Sequence, residues 1–198
     1  MSATDVSPGY TGSVPRSGEE VRRRLQEAAL VLYRKHGYEA TTAAEIAAEA
    51  GVTERTFFRH FPDKREVLFG GQDTMRAALS RAIAEVPDAP TPLAVLAQAF
   101  RAMMPILEMN RPFAVPRSEI IAAVPGLRER QLAKIATLQD AAAEALVARG
   151  IPGRRAVLAA QVGVAVFGQA IQEWMPNPTA DFDALLAEAF DDLRDLGP

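Results

Sequence analysis

Residues 42–64 read TAAEIAAEAGVTERTFFRHFPDK. Thr42 and Glu45 stand at the spacing of a capping box, in which each side chain satisfies a free backbone donor of the other. A short helix, the second in the chain, opens there and carries Ile46, Ala47 and Ala50. A helix that short is marginal alone and must be held by packing. Gly51 ends it, because the turn needs a positive φ that glycine adopts without strain. Thr53 caps a third helix running to His60. The small Ala47 lets the two helices cross closely, and Val52 and Phe57 are spaced to plug the crossing. With that plug seated, Thr53, Glu54, Arg55, Phe58 and Arg59 face away from the core. Such a bare face fits the major groove of DNA, its N-terminal side chains meeting base edges.

Groups able to grip phosphate bracket this stretch. Thr42 offers a hydroxyl beside the free N–H groups of the second helix. Lys64 is expected in the first turn of a fourth helix capped by Asp63, where backbone donors and the helix dipole favour an anion. His60 could donate to a phosphate, or simply pack or cap. Contacts of this kind set affinity and register, while Arg55 or Thr56 would carry sequence readout. Arg22–Arg24 could touch a strand as well, or lie on a solvated face; His36, at a helix C-terminus, is structural. The charge is divided to match. The chain carries a net −3 overall, yet residues 21–65 hold nine Lys/Arg against six Asp/Glu, and the remainder thirteen against nineteen. A basic segment on an acidic body suits an anionic partner.

Outward from this stretch the chain reads as helices with proline and glycine punctuation, giving an all-α fold of about nine helices. Residues 1–16, rich in Ser, Thr, Gly and Pro, are expected to be a disordered tail. Order begins at Ser17, where Ser17 and Glu20 have capping-box spacing, and Gly37 stops the first helix. The fourth helix is expected from Asp63 to before Pro87, and a fifth from Thr91-Pro92, kinked or ended at Pro105. A short element around 116–124 follows, then helices over 125–149, 153–175 and 180–196. This divides the chain into a tail, a helix-turn-helix domain at 17–62 and a second helical domain at 63–198.

The stretch from Thr41 to Lys64, with its Gly51-Val52 turn, the Phe57-Phe58 pair and Phe61-Pro62-Asp63-Lys64, resembles the signature of TetR-family regulators. Residues 29–38 are similar to that family's first helix, so the resemblance covers residues 20–70. It implies an all-α homodimer, usually a repressor released by a small ligand. By position, Thr42, Phe58, His60 and Lys64 match the family's phosphate-contacting places, and Thr53, Glu54, Arg55 and Thr56 its base-facing places. Where the family usually has Tyr this chain has Phe58, so one hydroxyl contact is missing. Residues 111–155 resemble an actinobacterial branch thought to bind acyl-CoA-like molecules.

Farther on, Phe100, Met103, Met104, Leu107, Met109 and Phe113 cluster around Pro105. Adaptable methionines suit an irregular ligand cavity, and equally ordinary core filling. Arg117 could meet an acidic group of a ligand; Trp174 could line the same cavity or an interface. Ala159, Ala160, Gly163, Ala165, Gly168 and Ala170 permit close helix approach, and Phe182, Leu185, Leu186, Phe190 and Leu193 form a stripe. Together these exceed the apolar surface a monomer of this size needs. Segments 153–175 and 180–196 are therefore expected to pair with their copies across a two-fold axis. That symmetry would set two recognition helices roughly 34–36 Å apart on successive major-groove faces.

Other classes are poorly served. There are two histidines, no cysteine and no Glu-x-x-His pair, so neither an enzyme's machinery nor a metal site or cofactor is expected. A helical interaction module without DNA binding would not need the 42–64 stretch. No signal-peptide pattern opens the chain, and the apolar run at 157–171 is interrupted by Gln161, Gly163, Gly168 and Gln169, so cytoplasmic rather than membrane residence is expected.

Overall fold

The computed structural model describes residues 18–196. The expected tail and the Ser17 cap lie outside them. The described residues form nine α-helices and no strand.

Helix α1 (Gly18–His36) begins with Glu19 and Glu20 and ends with Arg34, Lys35 and His36, each charge matched to its end of the helix dipole. It buries Val21, Leu25, Ala28, Leu32 and Tyr33 along one face. Helices α2 (Ala43–Glu49) and α3 (Glu54–His60) start at the expected caps. Thr42 and Glu45 make both bonds of the capping box, and the Thr53 side chain accepts from the Thr56 amide. Leu25, Ile46 and Phe57 are fully buried, with Ala47 and Phe61 close to it, so the three helices share one small core.

The fourth helix does not start at Asp63. Residues 62–71 form successive turns, and α4 runs Gln72–Glu85. Asp63 caps a turn instead, accepting from the amides of Arg65 (2.7 Å) and Glu66 (3.1 Å). Three consecutive apolar residues, Val67, Leu68 and Phe69, are all buried here. A straight helix would turn one of them toward solvent, since consecutive side chains do not share a face. Gly71, with φ +94°, then redirects the chain into α4.

Helix α5 (Pro92–Ala102) ends before Pro105, and Met103 joins it to α6 (Met104–Ala123). The separate element expected at 116–124 is therefore the second half of one 20-residue helix that passes through Pro112 and Pro116. Each proline deletes one backbone donor. The helix continues because it is held from both sides. Ala114, Ile120 and Ile121 are buried. The Arg111 guanidinium donates to the carbonyls of Trp174 (2.6 Å) and Asn177 and lies 4.1 Å from the centre of the Trp174 ring.

Helices α7 (Pro125–Ala148), α8 (Gly153–Trp174) and α9 (Phe182–Asp195) match the expected spans to within a residue or two. With α4 and α5 they build a second, larger core in which the Phe100 and Phe167 rings stack at 4.3 Å. Helix α8 is long and apolar enough, by length and composition, to cross a membrane. In this fold it lies against α5, α7 and α9. Most of its small residues pack within the chain, while Ala165 and Gly168 are left outside that packing. Ala156, Ala159, Ala160, Gly163 and Ala170 are buried within the chain, and a Cβ at Gly163 would sit 2.5 Å from Leu96 Cδ1. Gly163 brings α8 against α5 of the same chain. The face left outward carries Val157, Leu158, Gln161 and Ala165.

The two cores meet along α1 and α6. Ile120, Ile121 and Leu127 join the first core, and Glu66 accepts from Arg130 (2.7 Å) and Lys134 (3.2 Å) on α7.

Candidate nucleic-acid interface

Gly51 has φ +65°, and the turn closes through bonds from Gly51 N to Ala48 O and from Val52 N to Ala47 O, both 2.9 Å. This geometry crosses α2 and α3 so that Phe57, fully buried, fills the angle against Phe61. Val52 packs at the edge of the same core. The opposite face of α3 is bare: Thr53, Glu54, Arg55, Phe58 and Arg59 are all exposed. Thr56 is half-buried, its hydroxyl 3.0 Å from that of Thr53.

Most cations of the segment are committed to partners; Arg55 and Arg59 on this face, and Arg34 and Lys35 at the end of α1, are not, among the described residues. Arg22 donates to the His60 carbonyl (3.0 Å) and lies over the Phe61 ring. Arg23 pairs with Glu20 and Glu27, Arg24 donates to Ala50 O, and Arg65 pairs with Asp63. Arg55 and Arg59 have no hydrogen bond or ion pair among the described residues. Two unpaired guanidiniums on one exposed helix face are available to phosphate oxygens and base acceptors.

The flanking groups are more committed. The Thr42 hydroxyl is exposed but lies 2.9 Å from a Glu45 carboxylate oxygen. Hydrogen bonds from Thr42 hold that carboxylate below the ordinary range. Lys64 is not in the first turn of a helix. Its ammonium donates to the carbonyls of Tyr38 (2.9 Å), Glu39 (3.1 Å) and Thr41 (3.0 Å) and lies over the Tyr38 ring. It ties 62–71 to the loop that enters α2, and the Tyr33 hydroxyl adds a bond to Lys64 O at 2.6 Å. His60 is half-buried, and its Nε2 is buried without a partner among the described residues. Burial, with Arg59 and Arg22 nearby, holds the imidazole below its ordinary pKa. In this conformation that nitrogen faces the protein.

The structure does not gather the candidate ligand residues around one cavity. Phe100, Met103 and Trp174 are packed inside the larger core, with Met104 and Leu107 at its edge. Met109 is exposed, Phe113 packs against the smaller core, and Arg117 is half-buried beside α1. Four arginines hold helix ends, a role the sequence assigns to none of them; its expectation for Arg22 and Arg24 is to touch a strand or lie on a solvated face. Besides Arg22, Arg24 and Arg111, Arg149 donates to the carbonyls of Ile83, Ala84 and Val86 where α4 finishes. Their partners are backbone atoms 26 to 66 positions away, which no local pattern announces.

A helix-turn-helix with its recognition face bare, joined to a helical body, is the architecture of a DNA-binding regulator. Two family profiles match the chain: "Bacterial regulatory proteins, tetR family" over residues 25–69 and "MftR C-terminal domain" over residues 90–197. The chain is 28% identical to the HTH-type transcriptional regulator TcmR of Streptomyces glaucescens over 205 residues, 97% of this chain and 91% of TcmR. Its fold is similar to that of SmeT in a complex with triclosan (TM-score 0.58, 23% identity, 87% of this chain and 90% of that one). It is also similar to that of the Thermus thermophilus repressor FadR in complex with lauroyl-CoA (TM-score 0.55, 25% identity, 87% and 93%). The chain belongs to the TetR family of transcriptional regulators.

Proposed function

We propose that this regulator is a ligand-released repressor that binds a palindromic operator as a homodimer. The observation that carries this reading is the exposed face of α3, with Arg55 and Arg59 unpaired among the described residues beside Thr53, Glu54 and Phe58. Arg55 and Thr56 read base edges; Thr42, Phe58, Arg59, His60 and Lys64 hold or position the strand. Residues 17–62 are the DNA-reading domain and 63–198 the ligand-binding and dimerisation domain. The exposed Val157 and Leu158 on α8 support pairing through 153–175 and 180–196. Two copies then present two α3 helices to half-sites one turn of DNA apart. An effector, apolar or acyl-CoA-like, changes that separation and lowers operator affinity. FadR, solved with lauroyl-CoA, supports that chemistry by similarity.

The test is selection of duplexes from a random pool by the purified protein, followed by footprinting. The expected product is an inverted repeat with two protected half-sites, bound more weakly as salt rises. Arg55→Ala should cost about 1–3 kcal/mol and relax preference at one base pair per half-site. Selection of no symmetric sequence, or unchanged affinity in both Arg55→Ala and Arg59→Ala, overturns the reading.

A further inference from the structure

A cleft of about 250 Å³ runs along the seam between the two cores. Its α1 wall carries Arg22, Gln26 and Leu30, its α6 wall Met109, Asn110, Phe113 and Arg117, and Val67, Leu68 and Gly70 close one end. The volume lies just below the range of about 300–1,000 Å³ usual for drug-sized ligands, which limits the occupant to a small molecule.

Arg117 is the unusual member. Its guanidinium is half-buried, and it has no ion pair or hydrogen bond among the described residues. Burial lowers its pKa with no counter-charge to offset the loss of solvent. The other two arginines at the cleft are occupied, Arg22 with His60 O and the Phe61 ring, Arg23 with Glu20 and Glu27. The acid on the lining is Glu19, which is exposed. A cation withdrawn from water without a partner is costly, and an anion delivered to it recovers that cost. Around it lie Leu30, Met109 and Phe113, a surface suited to an apolar body rather than a bare ion.

The wall bearing Arg117 is anchored by its packing but short of internal backbone bonds. Pro112 and Pro116 flank Phe113 and precede Arg117, and each removes an internal bond of α6. A small adjustment of α6 therefore costs fewer hydrogen bonds here than elsewhere along the helix.

We propose that this cleft is an effector site for a small carboxylate with an apolar body, its carboxylate on Arg117 and its body against Phe113, Met109 and Leu30. The proposal rests on the ligand-responsive reading above and gives that response a place. A molecule seated between α1 and α6 touches both halves of the chain at once. It binds one spacing of the seam better than another, and only such a difference in affinity shifts a conformational equilibrium.

The probes are benzoate, 1-naphthoate and octanoate, with 1-naphthalenemethanol as the uncharged counterpart of naphthoate, titrated calorimetrically into the full-length protein. At least one carboxylate should bind with 1:1 stoichiometry per chain, and the alcohol should bind roughly tenfold or more weakly, as expected on losing a charge-assisted bond. Arg117→Gln and Arg117→Met should each lose carboxylate binding by a similar factor, while Arg81→Gln, at an exposed position on α4 away from the cleft, should keep it. Thermal melting reports whether the variants fold; two replacements of different polarity guard against one that does not. Failure of all three carboxylates to bind, equal binding of the alcohol, or binding unaffected in both Arg117 variants overturns the proposal. Operator binding without any probe is measured in parallel. If it is absent, the regulator reading fails; if it is present and the carboxylates do not bind, only this site fails.

Discussion

Replacing Gly51 with alanine should damage the turn between α2 and α3 in two separable ways. The first is conformational. At φ +65° a residue with a Cβ is in the left-handed region, which costs about 1–2 kcal/mol. The second is a lost contact. The new Cβ would lie 2.8 Å from Arg24 Nη2, the atom that donates to Ala50 O. The arginine is flexible and will swing away, so the clash is cheap, but the hydrogen bond goes with it, at about 0.5–1.5 kcal/mol. Together the substitution should cost about 2–3 kcal/mol, or a melting temperature lower by roughly 4–12 °C for a chain of this size. Arg24→Ala alone removes the bond without the backbone strain. In the double variant that bond can be lost only once, so the combined cost should fall short of the sum by about 1 kcal/mol. Urea denaturation followed by circular dichroism measures all four proteins. Gly51→Ala within about 0.5 kcal/mol of the parent, or additive costs in the double variant, would refute the account of this turn.

Two further outcomes follow from single contacts. Because His60 is held below its ordinary pKa, the folded chain binds fewer protons than the unfolded one as pH drops below about 6.5; the stabilisation is whole above that value and is lost down to the lowered folded pKa, so thermal melts should decline with acid more steeply in the parent than in His60→Gln, and equal slopes would count against a buried neutral imidazole. Gly163→Ala should destabilise the parent by up to about 2 kcal/mol, since overpacking against the fully buried Leu96 outweighs the gain in helix propensity; in a Leu96→Ala background the same change should stabilise, and stabilisation in both backgrounds would show that α8 does not approach α5 as closely as described.

The helices were legible because their signals are local. A capping box needs only Thr42 and Glu45, a stop only Gly37 or Gly51, and the buried face of α1 repeats every three or four residues. The recognition face was legible by subtraction. Once Phe57 is assigned to the crossing, the angular positions of Arg55, Phe58 and Arg59 are set by helix geometry alone. The two misplaced boundaries have local causes of another kind. Asp63 is an equally good cap for one turn or for a helix, and only the burial of Val67, Leu68 and Phe69 together decides for the turn. Proline at 112 and 116 normally breaks a helix, and only the anchorage of Arg111 on the end of α8 and the burial of Ile120 and Ile121 carry α6 through.

From the order of residues alone came the all-helical class, the turn at Gly51 and the identity of the side chains left bare on α3. What only the folded chain decided is the employment of its long cations and small residues. Lys64, Arg22, Arg24, Arg111 and Arg149 bind carbonyls distant in sequence, Arg117 finds no partner among the described residues, and Gly163 meets Leu96. The physical reason is one of reach. Periodicity records that a helix has a buried face or a charged tip, but the surface that meets it is set by how helices far apart in the chain come to cross.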